Sequence, residues 1–212
     1  MKEAIDKLNA DLKSISKWSF ANGLKLNPDK CTVLHTAPLD QVQTLRDDGV
    51  SVCLDSRSLV VCEKAKTLGV VIDRCLNFSD HVTCVSQRAL GRLRGLYRFR
   101  GLLPEAAKLQ LVQSLILSVF YYCFPAYGNS ISREDMYRLQ RLQNSTIRFI
   151  FCLNKFDHVS PFREVASLLP VEAMCRLLTC CMTHRVLSLC EPDYLRERLS
   201  LRDEVSQRRT RH

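Results

Sequence analysis

Turn-spaced cysteine pairs are missing from this chain, although it holds eleven cysteines in 212 residues. An odd and scattered set without a C-x-x-C pair argues against both a disulfide framework and a zinc module. Free cysteine packs as a small hydrophobe, and Cys53, Cys62 and Cys123 fall at apolar positions of predicted elements. The nearest approach to a metal cluster is Cys175, Cys180, Cys181, His184 and Cys190, all in one predicted helix, with Cys180 and His184 four residues apart. Structural zinc usually draws on turn-spaced pairs, so a helix with cysteines on its buried side and no metal is expected. A charged-then-apolar leader is also lacking, so nothing points to secretion and an intracellular location is expected. Long apolar runs are few. The longest, Leu115 to Tyr127, is interrupted by Ser118 and Pro125. It falls short of the ~20 residues a bilayer span requires, so a buried helix is expected and no membrane partner. Asp47-Asp48 is the sole Asp-Asp pair, and with Gly49 behind it reads as a turn on a solvated loop. There is no internal repeat and no low-complexity segment.

What is present is an ordinary globular composition, 46% apolar and 25% charged, in a length that allows one large or two small domains. The net charge of +9 is unevenly placed: residues 1–78 carry +1 and residues 79–212 carry +8. The first part uses mostly lysine, whereas the second uses 18 arginines and only Lys108 and Lys155. Arginine presents a rigid fork of donors that suits phosphate oxygens, so an arginine-rich region of this size points to nucleic acid.

Ile5, Leu8, Leu12, Ile15 and Trp18 recur at three- and four-residue steps, one apolar stripe of a helix that Asn22-Gly23 closes. Beyond the Asn27-Pro28-Asp29 turn, Thr32–Thr36, Val50–Leu54, Leu59–Cys62 and Thr67–Asp73 read as strands. Asp55–Ser58 reads as a hairpin loop between the second and third of these. From Ser79 the period becomes helical. Ser79 is placed to cap a helix through Phe99 with Val82, Val85, Ala89, Leu93 and Leu96 on one side. Pro104 opens a helix ending near Pro125, and Ser132 with Asp135 approximates a capping box for a helix reaching Ile150. A short helix starts at Ser160-Pro161, a longer one runs from Val171 to Cys190, and Gln207–His212 forms a frayed tail. The predicted fold class is α+β: a small helix-plus-strands unit, 1–78, followed by an all-α region, 79–212.

The stretch LNADLKSISKWSFANGLKLNPDKC, Leu8 to Cys31, followed by KTLGVVID, Lys66 to Asp73, resembles reverse transcriptases of non-long-terminal-repeat retrotransposons of the LINE, jockey and CR1 kind. Asn77–Val82 and the run Tyr137–Ile150 followed by KFDHVSP, Lys155 to Pro161, continue the resemblance. In that family the first stretch lies just after the catalytic Tyr-x-Asp-Asp turn, which the chain starting at Met1 would already have passed. The resemblance therefore implies a palm remnant with a primer-grip-like hairpin and an arginine-rich thumb-like region. It also implies partners in the missing N-terminal palm and fingers.

The complete family enzyme copies RNA into DNA with magnesium and deoxynucleotides, using two ions held by carboxylates. None of those carboxylates matches a position here, so no cofactor is expected in this fragment and it is expected not to polymerise alone. Lys30 falls on the family's post-catalytic turn, where a lysine would act as general acid toward departing pyrophosphate. Leu68, Gly69 and Val70 match the primer-grip hairpin, and glycine permits close backbone approach.

In the helical region, projection at ~100° per residue puts Arg94 and Arg98 opposite the first apolar stripe, with Arg88 and Arg92 at its edge. Tyr137, Arg141 and Arg148 share one face of the later helix, joined by Arg138. A row of arginines with one aromatic suits a template–primer phosphate backbone and a stacked base. The functional expectation is a truncated RNA-directed DNA polymerase that retains template–primer contacts. Two alternatives remain open: a non-catalytic nucleic-acid-binding module, and a decayed element without function that exposes the stripe Ile5–Trp18.

Overall fold

In a computed structural model of the protein, residues 2–36, 51–55 and 57–200 are described. Asp47-Asp48, the start of the Val50–Leu54 strand and the Gln207–His212 tail lie outside them. The chain divides into two compact units, Met1–His81 and Val82–His212.

The first unit opens with α1, Lys2–Ala21. Its Asn9, Leu12, Ser16 and Ser19 follow three- and four-residue steps and form the inward face. Asn9 Oδ1 accepts from the Cys53 N–H at 2.9 Å, Ser16 Oγ donates to Asp55 at 2.6 Å, and Ser19 is buried. The adjoining arc of the helix carries Leu8, Ile15 and Trp18, and these stay open to solvent, Trp18 at 61%. Of the predicted apolar stripe only Ile5 and Leu12 are partly covered, and the inward face is otherwise polar. Gly23, at φ +69°, ends the helix in the left-handed conformation that the Asn22-Gly23 pair predicts.

A turn of 3-10 helix, Pro28–Lys30, follows, with Asn27 Oδ1 accepting from the Asp29 N–H at 3.0 Å. Among the described residues, short strands come next: β1 Thr32–Leu34, β2 Cys53–Leu54, β3 Arg57–Ser58, β4 Val60–Cys62, β5 Lys64–Thr67 and β6 Val70–Asp73. They pair in three two-stranded sheets, β1 with β4 in parallel, β2 with β3 and β5 with β6 antiparallel. This corrects two expectations, one pairing and one strand. Asp55, at φ +49°, turns the chain at once, so Cys53–Leu54 pairs with Arg57–Ser58 and leaves Val60–Cys62 for Thr32–Leu34. Thr67–Asp73 is not one strand. Leu68 (φ +48°) and Gly69 (φ +86°) are the two central residues of a hairpin turn, both left-handed in the manner of type I′.

Asp73 then organises the loop into the next helix. Its buried carboxylate accepts the N–H groups of Cys75 (2.9 Å), Asn77 (3.3 Å) and Phe78 (2.7 Å). Those bonds hold Leu76 and Phe78 at positive φ, and Asn77 Oδ1 accepts the Ser79 N–H at 3.0 Å. Helix α2, Ser79–Tyr97, starts there. His81 is buried in its first turn, its Nδ1 accepting from the Val71 N–H at 3.3 Å, a structural tie between helix and hairpin.

The second unit is helical: the rest of α2, then α3 Glu105–Val112, a π segment Gln113–Leu117, α4 Ser118–Tyr121, α5 Phe124–Tyr127, α6 Arg133–Ile150, α7 Ser160–Val165, α8 Val171–Leu189 and α9 Asp193–Arg196. Val82, Val85, Ala89 and Leu93 of α2 are buried, as the stripe predicts. Val112, Ile116, Phe120 and Phe124 are fully buried at four-residue steps. Such a row overshoots the ~3.6-residue turn of an α-helix, and the π segment absorbs the extra residue so that one face keeps pointing inward. The run ends at Tyr121 and not near Pro125, because Tyr122 is extended and Cys123 left-handed (φ +54°); Pro125 sits in the first turn of α5. Glu105–Tyr127 is long and apolar enough to cross a membrane by length and composition alone. Here it is broken at Cys123 and supplies core side chains.

Helix α6 is the hub of this unit. Ser132 caps it, its Oγ accepting the Asp135 N–H at 3.1 Å. Leu139, Leu142, Thr146, Phe149 and Ile150 are buried on the expected side, joined by Gln143 and Ile147. Burying the Gln143 amide would be costly unless its hydrogen bonds were satisfied. They are: Nε2 donates to Tyr121 Oη (3.1 Å) and to the Leu169 carbonyl (2.8 Å), and Oε1 accepts from Gln140 (2.8 Å).

Candidate nucleic-acid interface

The carbonyl end of α6 carries partial negative charge, about half an elementary charge over the last turn. Two cations from neighbouring elements neutralise it. Arg100 donates through Nη2 to the carbonyls of Arg148 and Leu153, both at 2.9 Å. Lys108 is buried, with Nζ 3.3 Å from the Ile150 carbonyl and 3.2 Å from Cys152 Sγ. Arg148 in turn donates to the Asp157 carbonyl at 3.3 Å, and the Asp157 carboxylate is occupied by the Asn154 N–H at 2.7 Å. The carbonyls that would repel an anion are thus covered from within.

Above this end lies an open groove of ≈ 700 Å³. Arg100, Arg141, Arg148 and Lys155 line it with Tyr97, Asn144, Ser145, Leu153 and Asn154, and no carboxylate is among the lining residues. Arg100 and Arg148 are half-buried and fixed by their carbonyl bonds, whereas Arg141 and Lys155 are exposed. The Arg100 guanidinium stacks 5.5 Å from the Tyr97 ring centroid, and that ring leans on Phe149 at 5.3 Å. Beside the groove the Lys155 ammonium lies 5.5 Å from the centre of Phe156, a ring 88% exposed. Four cations without a lining carboxylate, next to open aromatic faces, form a surface suited to phosphates and bases.

The residues predicted for nucleic-acid contact divide into two groups. Arg88, Arg94, Arg98, Tyr137 and Arg141 are exposed. Arg92, Arg138 and Arg148 also hold the fold: Arg92 donates to the Leu115 carbonyl (2.6 Å), and Arg138 to Asp135 (2.9 Å) and Thr83 (3.2 Å). Arg141 and Arg148 meet in the groove, and Tyr137 lines a different hollow at the other end of α6, with Arg133, Glu172 and Arg176. Arg100, Lys155 and Tyr97 escaped the helical projection. Arg100 and Lys155 stand in turns after helices, where a period-based projection assigns no face.

In the first unit, Lys30 ends the 3-10 turn with an exposed side chain. Next to that turn an open groove of ≈ 990 Å³ is lined by Phe20, Leu24, Asp29, Asp55 and Arg57, among others. Its two carboxylates are engaged, Asp29 by Arg57 at 3.3 Å and Asp55 by Ser16. Leu68 stands at the tip of the β5–β6 hairpin, 85% exposed, Gly69 completes the turn, and Val70 is buried. Lys64, at the base of the hairpin, pairs with Asp80 at 2.7 Å, and that bond raises its pKa. Among the described residues no three His, Cys, Asp or Glu side chains converge to hold a metal ion. Cys175 is buried, and Cys180, Cys181, His184 and Cys190 are exposed on or beside α8.

Comparison with known proteins gives a class. The chain is related in sequence to the RNA-directed DNA polymerases of non-long-terminal-repeat mobile elements, at a distant but consistent level. It is 26% identical over 142 residues to the RNA-directed DNA polymerase from mobile element jockey of Drosophila melanogaster, covering 66% of this chain and 15% of that protein. The jockey polymerase of Drosophila funebris is 24% identical over 152 residues, 70% of this chain and 16% of its own length. A probable RNA-directed DNA polymerase from transposon BS of D. melanogaster is 26% identical over 151 residues, again 70% and 16%. The chain therefore spans about a sixth of the length of these relatives. No family model and no solved structure matches it.

Proposed function

We propose that this chain is the part of a reverse transcriptase that grips template and primer, and that it supplies no nucleotide chemistry by itself. The helix-plus-strands unit corresponds in this reading to the end of the palm with its primer-grip hairpin, and the helical unit to the thumb. The single observation that carries the proposal is the carboxylate-free cationic groove over the end of α6, in the half of a chain related to polymerases that holds +8 of the +9 charge. Arg141 and Lys155 contact phosphates there, while Arg100 and Arg148 keep the field positive where the helix end would otherwise oppose an anion. The exposed arginines Arg88, Arg94 and Arg98 extend the same surface chemistry along α2. Lys30 acts on pyrophosphate only where the two metal ions and their carboxylates are supplied by other parts of a complete polymerase. The open face of α1, with Leu8, Ile15 and Trp18, supports a unit that further polymerase chain covers.

The test combines binding and incorporation on the same protein. An RNA–DNA template–primer hybrid is expected to shift in a gel with the chain alone. The same mixture given magnesium and all four deoxynucleotides is expected to leave the primer unextended. Primer extension would overturn the division of labour, and failure to bind any nucleic acid would overturn the gripping role.

A further inference from the structure

Resting on the nucleic-acid reading, we infer that the groove over the end of α6 takes an unpaired segment of the strand, with phosphates on Arg141 and Lys155 and a base stacked on Phe156. Three observations support it. First, the site is concave. At ≈ 700 Å³ it is in the size class of pockets that enclose small ligands, and a nucleotide falls within that class. A rigid duplex, by contrast, meets a protein along a broad surface and reaches such a hollow only through its phosphates.

Second, two open rings are at hand: Tyr97 lines the groove, and Phe156, outside the lining, adjoins it through Lys155. Phe156 is 88% exposed in a turn, where burial would be worth ~2 kcal/mol or more, and the Lys155 ammonium lies 5.5 Å from its ring centre. Tyr97 shows its ring to the groove while its other contacts, Phe149 and Arg100, hold it in place. Every base offers a π-face when unpaired, and paired bases are already stacked on their neighbours, so open rings discriminate between the two states of the strand. Third, the cations divide into fixed and free. Arg100 and Arg148 spend donors on the carbonyls of 148, 153 and 157, and exposed Arg141 and Lys155 are left to follow a backbone. Asn154 adds an amide that can meet a base edge or a 2′-hydroxyl.

The experiment uses the full chain and two fluorescent probes of equal length, a 12-nucleotide oligouridine and a blunt RNA–DNA hybrid, followed by anisotropy at one salt concentration. Single strand is expected to bind more tightly than the blunt hybrid. Phe156→Ala is expected to weaken single-strand binding roughly tenfold with little change for the hybrid, since stacking is the contact it removes. Arg141→Ala is expected to weaken both probes. Circular dichroism checks that each variant stays folded, and Phe156→Tyr, which keeps the ring, is expected to restore affinity. Equal loss on both probes, or no loss with Phe156→Ala in a chain that still binds nucleic acid, would overturn the unpaired-strand site and leave the gripping role standing. Absence of binding to either probe would remove the underlying reading as well.

Discussion

At the scale of single residues, several groups hold their protons more firmly in the fold than they would in the open chain. Burial raises the pKa of the Cys175 thiol and of the Tyr121 hydroxyl, and Gln143 donates to the latter in partial opposition. Burial also raises that of Tyr127, whose hydroxyl donates to the Phe120 carbonyl. For these acids the unfolded chain loses its protons first, above the ordinary values near 9.0 and 10.0, so the native state binds more protons and stability falls as pH rises. Lys64 acts in the same direction: its contribution is complete below the ordinary value of 10.5 and fades as pH climbs through its raised one. Thermal unfolding followed by circular dichroism should therefore show a lower Tm at pH ~10.5 than at pH ~8, with a smaller drop in Tyr127→Phe. Gly128 is constrained by space and not by conformation. A Cβ there would meet Cys175 Sγ at 2.6 Å and the Phe124 ring at 2.7 Å. Gly128→Ala is expected to cost about 1–3 kcal/mol by denaturant titration, as overpacking of a tight core does.

At the scale of elements, legibility in the sequence followed the reach of the forces involved. The stripe of α2 and the cap and stripe of α6 were visible because they depend on residues three or four apart, as Ser132 with Asp135 shows. The strand pairings were not. The parallel match of Thr32–Leu34 with Val60–Cys62 bridges distant parts of the chain, and short apolar runs carry no mark of their partner. Asp73 escaped notice for a related reason. A carboxylate that accepts three backbone N–H groups looks like any loop aspartate until the loop is folded around it. Leu68 is a conflict between levels: a leucine at positive φ, 85% exposed, at the tip of a tight hairpin. Left-handed backbone disfavours a leucine by ~1–2 kcal/mol, and here burial does not compensate. Leu68→Asn, the residue this turn type prefers, is expected to raise stability by ~1 kcal/mol in denaturant titrations.

At the scale of the whole molecule, the sequence displayed the unequal charge and the distant kinship to polymerases, while the groove needed the fold. Arg148 and Lys155 come from the end of α6 and the turn after it, Arg100 from the turn after α2, and only the folded chain brings them together. The first unit has a different imbalance. Its helix turns Asn9, Ser16 and Ser19 inward and leaves Leu8, Ile15 and Trp18 outside. Contiguous exposed apolar surface of this kind drives association. The double variant Ile15→Lys, Trp18→Lys is expected to raise the soluble fraction in sedimentation while leaving the Tm unchanged. A lower Tm would show that the face is packed in solution.

The central claim is that the helical unit grips nucleic acid through phosphates at the groove. The slope of log affinity against log salt for a single-stranded oligonucleotide tests it most directly, in the wild type and in Arg141→Ala, Lys155→Ala. Each phosphate contact on a single strand contributes ~0.7 to the slope, so the double variant is expected to lose ~1.4 from a steep wild-type value. A wild-type affinity that barely responds to salt, or a slope that the double substitution leaves untouched, would contradict it.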